Sequence, residues 1–320
     1  MNTNNSPTPA EAKIISRRDF LLTTAIATAG TAVGCSTTSS GSKGSDIDAH
    51  VHVWTPDVNR YPIHSSYKVA DMQPASFTPE QLFAHTKPNG VGRVVLIQMS
   101  FYRFDNRYML DTMKRFPGVF SGVGIVDETA PRPQDKMREM VAQGVRGFRI
   151  HPGRQAVDAW IGSAGMAAMW QAGADQGVAI CPLINPEALP AIGKMCERYP
   201  KTRVVIDHFA RIGVDGQIRD EQVEALCRLA KHPHTYVKTS AFYALGKKQA
   251  PYTDLGPMIR KVHDAYGAKR LMWASDCPYQ VDPGHNYADS IALIRNGLDF
   301  LSKEDRAWML RKTAEKVFFS

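Results

Sequence analysis

The sequence predicts an α/β protein built as a (β/α)8 barrel, the TIM barrel architecture. Short β-rich runs alternate with longer helical patterns along the chain, and they do so over residues 46–320, a length that suits one barrel domain. We find no second linker, internal repeat or low-complexity tract in that range. An open doubly wound sheet is the alternative, but no strand is followed by G-x-G-x-x-G or a phosphate-binding loop.

Eight runs rich in β-branched and apolar residues are predicted as strands. They are IDAHVHVW (47–54), RVVLIQM (93–99), FSGVGIV (120–126), VRGFRI (145–150), VAICPLI (178–184), RVVIDH (203–208), TYVKTS (235–240) and RLMWASD (270–276). Helical spacing of apolar residues, often followed by glycine, marks segments between them. Four such segments are PQDKMREMVAQG (133–144), MAAMWQAGADQG (166–177), DEQVEALCRLAKH (220–232) and LGPMIRKVHDAYG (255–267).

The first 45 residues have the composition of an export signal and a tether. Arg17 and Arg18 precede an uncharged apolar run that ends at Cys35 and is too short to span a bilayer, which resembles a twin-arginine signal peptide. The run ends in TAVGC, similar to a lipoprotein box with Ala32 in the usual leucine position. Residues 36–45 are rich in serine and glycine. We expect an exported protein, periplasmic or at the cell surface, anchored to the membrane by a lipid on Cys35.

Composition narrows the class of partner. The formal net charge is +8, but the basic residues are dispersed and form no stripe interleaved with aromatics, so nucleic acid is not expected as a partner. A positive net charge suits an anionic small molecule or a membrane surface as the partner. The four cysteines after Cys35 show no close paired spacing, which argues against a zinc ribbon or a disulfide framework.

Titratable side chains gather where the predicted strands end. Alternation along the first strand would place Asp48, His50 and His52 on one face. The chemistry of a (β/α)8 barrel lies at the carboxyl ends of its strands. The other polar residues at those ends are Arg149, His151, Asp207, His208, Lys238, Ser240 and Asp276. His232 and His234 precede a strand instead, so we expect them at the opposite face.

Four of these segments together resemble the amidohydrolase superfamily. DAHVHVW, VIDHFAR, YVKTSAFY and RLMWASDCPY are similar to its amidohydrolase-2 branch, which includes lactonases. The resemblance spans residues 46–320. It implies that His50, His52, His208 and Asp276 form the catalytic centre and are also the candidate metal ligands, and that Arg211 contacts the substrate.

The chemistry expected of such a site is the opening of a lactone ring by water. Asp276 would take a proton from the water, while the histidines stabilise the oxyanion directly or through a metal. Imidazole and carboxylate ligands suit Zn²⁺, and the absence of a histidine from the fifth strand predicts at most one ion; catalysis without metal stays open.

An anionic small-molecule substrate is expected because guanidinium groups pair with carboxylate or sulfonate oxygens. The candidate substrate contacts are Arg149, His151, Arg154, Arg211 and Lys238. Lys238 has an alternative role as a partner of Asp207. Two other functions remain open from the sequence: a metal-dependent decarboxylase of the same superfamily, and a lipoprotein that binds a ligand without catalysis.

Overall fold

The barrel follows from eight strands that pair in chain order. The computed structural model describes residues 44–153 and 155–320. All strand pairs from the first to the eighth are parallel. The strands are β1 (Asp46–Val51), β2 (Val91–Ile97), β3 (Phe120–Gly124), β4 (Val145–Ile150), β5 (Ala179–Pro182), β6 (Arg203–Ile206), β7 (Thr235–Ser240) and β8 (Leu271–Ala274). A parallel bridge between Val51 and Cys277 joins the end of β8 to β1. The predicted (β/α)8 barrel and its eight strands are confirmed.

The α-helices are α1 (Pro79–Thr86), α2 (Arg107–Arg115), α3 (Pro133–Ala142), α4 (Val157–Ile161), α5 (Ala164–Gln176), α6 (Leu189–Arg198), α7 (Asp220–Arg228), α8 (Gly256–Tyr266), α9 (Tyr287–Asn296), α10 (Lys303–Ala307) and α11 (Thr313–Phe318). Helices α1 to α8 lie between successive strands, and α9 to α11 follow the last strand. The four predicted helical segments correspond to α3, α5, α7 and α8. Within the described ranges, we find no helix with the length and apolarity needed to cross a bilayer.

Two apolar layers hold these elements together. One lies inside the barrel and includes Ile47, Val95, Val205 and Met272, all essentially inaccessible to solvent. The other fills the space between the strands and the surrounding helices. Phe318, from α11, belongs to the inner layer, so the C-terminal helix packs against the barrel interior. This arrangement leaves the carboxyl ends of the strands to carry the polar groups.

The predicted signal segment lies outside the described residues. This applies to residues 1–35, with Arg17, Arg18 and Cys35, and to residues 36–43 of the predicted tether. Gly44 is described, and its carbonyl oxygen accepts a hydrogen bond from Arg311 Nη1 at 2.7 Å.

Candidate active site

The first strand does not keep the side-chain alternation that its sequence suggests. Ile47 and Ala49 face the barrel interior, whereas Asp48 accepts hydrogen bonds from the Tyr287 hydroxyl of α9 at 2.8 Å and from the Ser275 backbone at 2.9 Å. The pairing of β1 with β2 is irregular between Asp48 and Val51. Because a bulge moves the residues after it to the other face, His50 turns into the barrel mouth. The prediction that Asp48 shares a face with His50 and His52 is therefore wrong.

Three donor atoms meet at the mouth of the barrel. His50 Nε2 lies 3.3 Å from His52 Nε2, and each of these nitrogens lies 3.4 Å from Asp276 Oδ1. Bonds of about 2.0–2.2 Å in a tetrahedral zinc site separate any two ligand atoms by roughly 3.3–3.5 Å. The three side chains are buried and form a group that could hold a divalent metal ion. The donor set and its spacing therefore fit such an ion.

The tautomer of His52 also fits the binding of a metal ion. Its Nδ1 lies 2.9 Å from the carbonyl oxygen of Ile97. Since a carbonyl oxygen only accepts, Nδ1 carries the proton and the Nε2 lone pair faces Asp276.

Asp276 sits in a strained backbone conformation directly after β8. Its φ is 67°, in the left-handed region that costs a non-glycine residue about 1–2 kcal/mol. Oδ2 accepts a hydrogen bond from the Tyr243 hydroxyl at 2.7 Å, while Oδ1 is buried and has no hydrogen-bond partner among the described residues. Burial alone would raise the pKa of Asp276, but the positive charge that His208 and the neighbouring histidines gain in acid outweighs it and holds the pKa below its usual range. Asp276 is therefore an ionised carboxylate with one oxygen free.

The turn that carries His208 is also strained. His208, Phe209, Ala210 and Arg211 all have φ between 51° and 61°, although left-handed residues usually occur singly. Phe209 and Ala210 are fully buried, so packing holds the turn in place. The turn places His208 in the site and Arg211 on the cavity wall.

His208 lies beside the three donors and not among them. Ser240 Oγ donates to the Lys238 carbonyl at 3.3 Å and so accepts from His208 Nδ1 at 2.8 Å. The free His208 Nε2 lies 3.7 Å from Asp276 Oδ2. Burial lowers the pKa of His208, which favours the neutral ring. The structure thus groups three of the four predicted metal ligands and sets His208 against the other oxygen of Asp276.

Beneath His50 lies a buried group of charges. Asp207 Oδ1 is 2.9 Å from Lys238 Nζ, and Asp207 Oδ2 accepts from Arg149 Nη2 at 3.0 Å. Burial raises the pKa of Asp207, but the two cations more than offset this and hold it well below its usual range. Burial and the Lys238 charge hold the pKa of His50 well below its usual range, so its ring is neutral.

Two adjoining cavities open onto this centre. The smaller, of about 260 Å³, is lined by His52, His208, Asp276 and Arg211; the larger, of about 660 Å³, is lined by His151 among others. Arg149 lines both cavities and lies where they meet.

The predicted substrate contacts fall into three groups. Arg149, His151 and Arg211 lie on the cavity walls. Lys238 lines neither of the two cavities and is fully buried, so its position matches the alternative role as the partner of Asp207. Arg154 lies outside the described residues.

Sequence reasoning missed Tyr243, whose hydroxyl holds Asp276. This residue ends the quoted segment YVKTSAFY, three positions beyond the end of β7, so its place in a rim loop was the available signal. Tyr279 was missed for the same reason; its ring stacks on that of Tyr243 with centroids 6.4 Å apart. His232 and His234 lie before β7, at the face opposite the site, as predicted.

Comparison with known proteins agrees with this geometry. L-fucono-1,5-lactonase from Burkholderia ambifaria is 31% identical over 271 residues, which cover 82% of this chain and 91% of that protein. 2-Pyrone-4,6-dicarboxylate hydrolase from Comamonas testosteroni is 26% identical over 242 residues, covering 73% of this chain and 76% of that protein.

Solved structures share the fold. An amidohydrolase from Burkholderia multivorans with bound zinc has a TM-score of 0.72 and 21% identity, covering 86% of this chain and 99% of that one. The family model described as amidohydrolase matches residues 47–319, nearly the whole barrel. The chain therefore belongs to the amidohydrolase family.

Proposed function

We propose that the protein is a hydrolase that opens a lactone ring by the attack of water. The observation that carries this proposal is the carboxylate of Asp276, which is ionised, buried at the barrel mouth and free at Oδ1. A carboxylate in that state can accept a proton from a water in the adjoining cavity. The lactonase and the pyrone hydrolase among the relatives support the choice of a cyclic ester.

The reaction needs only one proton shuttle. Water adds its oxygen to the acyl carbon while Asp276 Oδ1 takes one of its protons. The ring C–O bond then breaks, and Asp276 returns the proton to the leaving alkoxide. The product is a hydroxy acid that loses its own proton to solvent. Because a carboxylate with a low pKa is a weak base, a nearby cation must assist by polarising the carbonyl or the water.

Two groups could supply that cation. Arg149 lies at the junction of the cavities and can donate to a carbonyl oxygen. We propose that His50, His52 and Asp276 bind at most one divalent ion, and that this ion is Zn²⁺. When bound at Asp276 Oδ1, it would act as a Lewis acid toward carbonyl or water, and Oδ2 of the same carboxylate would take the proton. The spacing of the three donor atoms supports this assignment.

The cavity walls favour a polar and anionic substrate. Arg149 and Arg211 both line the smaller cavity, and guanidinium pairs with carboxylate or sulfonate through two hydrogen bonds. A volume of about 260 Å³ is enough for a single small ring with its substituents. We therefore propose lactones of sugar acids or of dicarboxylic acids as the substrate class.

The experiment is a hydrolysis assay with paired variants. Purified full-length protein is tested against L-fucono-1,5-lactone, related sugar lactones and 2-pyrone-4,6-dicarboxylate, with acid release and ring opening followed together. Asp276→Asn should lower turnover by about two to four orders of magnitude, the range for a lost general base. Asp282→Asn, an exposed aspartate, and His234→Ala, at the other face, are the matched controls and should leave turnover unchanged.

The same assay tests the other functions. Release of carbon dioxide without ring opening would make the protein a decarboxylase. No turnover of any substrate, with the fold intact, would favour a binding protein. Near-normal lactone hydrolysis by Asp276→Asn would remove the proposed role of that carboxylate.

We also propose that the chain is exported and anchored by lipid. The support is the sequence alone: Arg17 and Arg18 before an apolar run, Cys35 at its end, and a tether after it. Changing Arg17 and Arg18 together to lysine should block export. Cys35→Ser should release the protein from the membrane fraction, and unchanged membrane association would contradict the anchor.

A further inference from the structure

Arg149 contacts the same nitrogen of His50 that forms one corner of the three-donor group. Arg149 Nη2 lies 2.9 Å from His50 Nε2. A neutral imidazole nitrogen has one lone pair, and a guanidinium has donors only. His50 Nε2 can therefore accept from Arg149 or bind a metal ion, but it cannot do both at once.

The other side of His50 is compatible with the contact to Arg149. His50 Nδ1 lies 3.3 Å from Asp207 Oδ1. Lys238 Nζ also lies 3.1 Å from Nδ1, but the contact of Arg149 with Nε2 is the shorter of the two, and Asp207 Oδ1 at 2.9 Å gives Lys238 another acceptor. When Nε2 accepts from Arg149, the ring proton resides on Nδ1 and can be donated to Asp207. Arg149 Nη2 also donates to Asp207 Oδ2 at 3.0 Å, so the guanidinium is anchored next to His50.

The charges around His50 also disfavour having the guanidinium and a divalent ion there together. Arg149 and Lys238 both pair with Asp207, and Asp276 lies on the other side of His50. The charges of these four side chains sum to zero before any ion enters. A divalent ion would add two positive charges close to the guanidinium, where burial weakens screening by water.

We propose that Arg149 competes with the divalent ion for His50 Nε2, and that this competition sets the metal affinity of the site. The ion completes its bond to His50 only when the guanidinium moves away. Arg149 is in this respect a positioning residue, which acts on the metal through His50. The proposal concerns the metal donors alone and does not depend on which substrate the enzyme takes.

The test measures metal binding directly in the full-length protein. Zn²⁺ affinity is determined by competition with a chromophoric chelator, and visible absorption of added Co²⁺ reports the ligands. Arg149→Gln keeps an amide that can donate to Asp207, and Arg149→Met removes every donor. Both should bind Zn²⁺ about tenfold to a hundredfold more tightly than the unmodified protein, the range for a residue that acts through a ligand. Arg211→Gln is the control, since it removes a cavity cation that makes no hydrogen bond or ion pair with the three donors.

Three results would overturn the proposal. Equal Zn²⁺ affinity in the unmodified protein and in either folded Arg149 variant would do so. So would an equal gain in Arg211→Gln, because a general loss of positive charge would then explain the effect. A gain in affinity that persists when His50→Ala is added to the Arg149 variant would show that the ion binds elsewhere. If Arg149→Met does not fold, Arg149→Gln alone decides, because Lys238 still balances Asp207 in it.

Discussion

Removal of one hydroxyl group tests how the structure holds its catalytic base. Tyr243 donates to Asp276 Oδ2 at 2.7 Å, and the other neighbour of that oxygen, His208 Nε2, is 3.7 Å away and carries a lone pair. Tyr243→Phe therefore leaves Oδ2 without a close donor, while the aromatic ring keeps its packing on Tyr279. The free Asp276 carboxylate should then rotate away from the position that faces His50 and His52.

The magnitude follows from the type of hydrogen bond. A bond to a charged group contributes about 1.5–3 kcal/mol. If that stabilisation is realised in the transition state, kcat should fall by about 10- to 150-fold. KM should change much less, because the hydroxyl proton is already donated to Asp276 Oδ2. Loss of a bond to the ionised form raises the pKa of Asp276, so the acidic limb of the pH profile should move to higher pH.

The assay is steady-state lactone hydrolysis over a range of pH, with unfolding in denaturant as a check on the fold. Tyr279→Phe is the matched control: Tyr279 lines the same cavity, but its hydroxyl contacts the sulfur of Met99 at 3.9 Å and not Asp276. A kcat for Tyr243→Phe within twofold of the unmodified protein would refute the reasoning. An equal loss in Tyr279→Phe would show that the effect belongs to the cavity and not to Asp276.

Two further predictions concern stability and are checked by denaturant unfolding. Lys238→Met should destabilise the fold by about 3–5 kcal/mol, because it removes one partner of a fully buried ion pair; a loss under 1 kcal/mol would contradict the pairing with Asp207. Gly165→Ala, in α5, should cost about 1–3 kcal/mol, because a Cβ there would lie 1.7 Å from the Glu128 carbonyl oxygen. Gly193→Ala, in α6, is its control, since the nearest atom, at 3.2 Å, belongs to the flexible side chain of Leu229; a similar loss in both variants would argue against the clash.

The sequence predicts the barrel well because each of its strands is a short apolar run with a helix after it. The end of each strand can also be predicted from the sequence, and these ends place His50, His52, His208 and Asp276 at one rim. Those expectations rest on periodicity and chain order, which a regular barrel preserves.

The failures come from irregular backbone. The face of Asp48 was wrong because the bulge after it breaks the alternation of β1, and no local residue marks that bulge. The left-handed turn from His208 to Arg211 contains no glycine, so the usual signal for positive φ is absent. The sequence places Lys238 on a strand but does not tell how deep in the barrel its side chain lies. That depth decides whether Lys238 contacts the substrate or pairs with Asp207.

The buried charges explain which parts of the site can be altered without loss of the fold. Asp207 has two counter-ions, but they are not equivalent: Lys238 is fully enclosed, whereas Arg149 reaches the cavity wall. Removing Lys238 leaves an enclosed space where its charge stood, and water cannot readily replace it. Removing Arg149 leaves Asp207 paired with Lys238, and the space vacated adjoins the cavity, so solvent can enter. The charge near His50 can therefore be changed at Arg149 without loss of the buried Lys238–Asp207 ion pair. Such a change should shift the competition between the guanidinium and a metal ion for His50 Nε2.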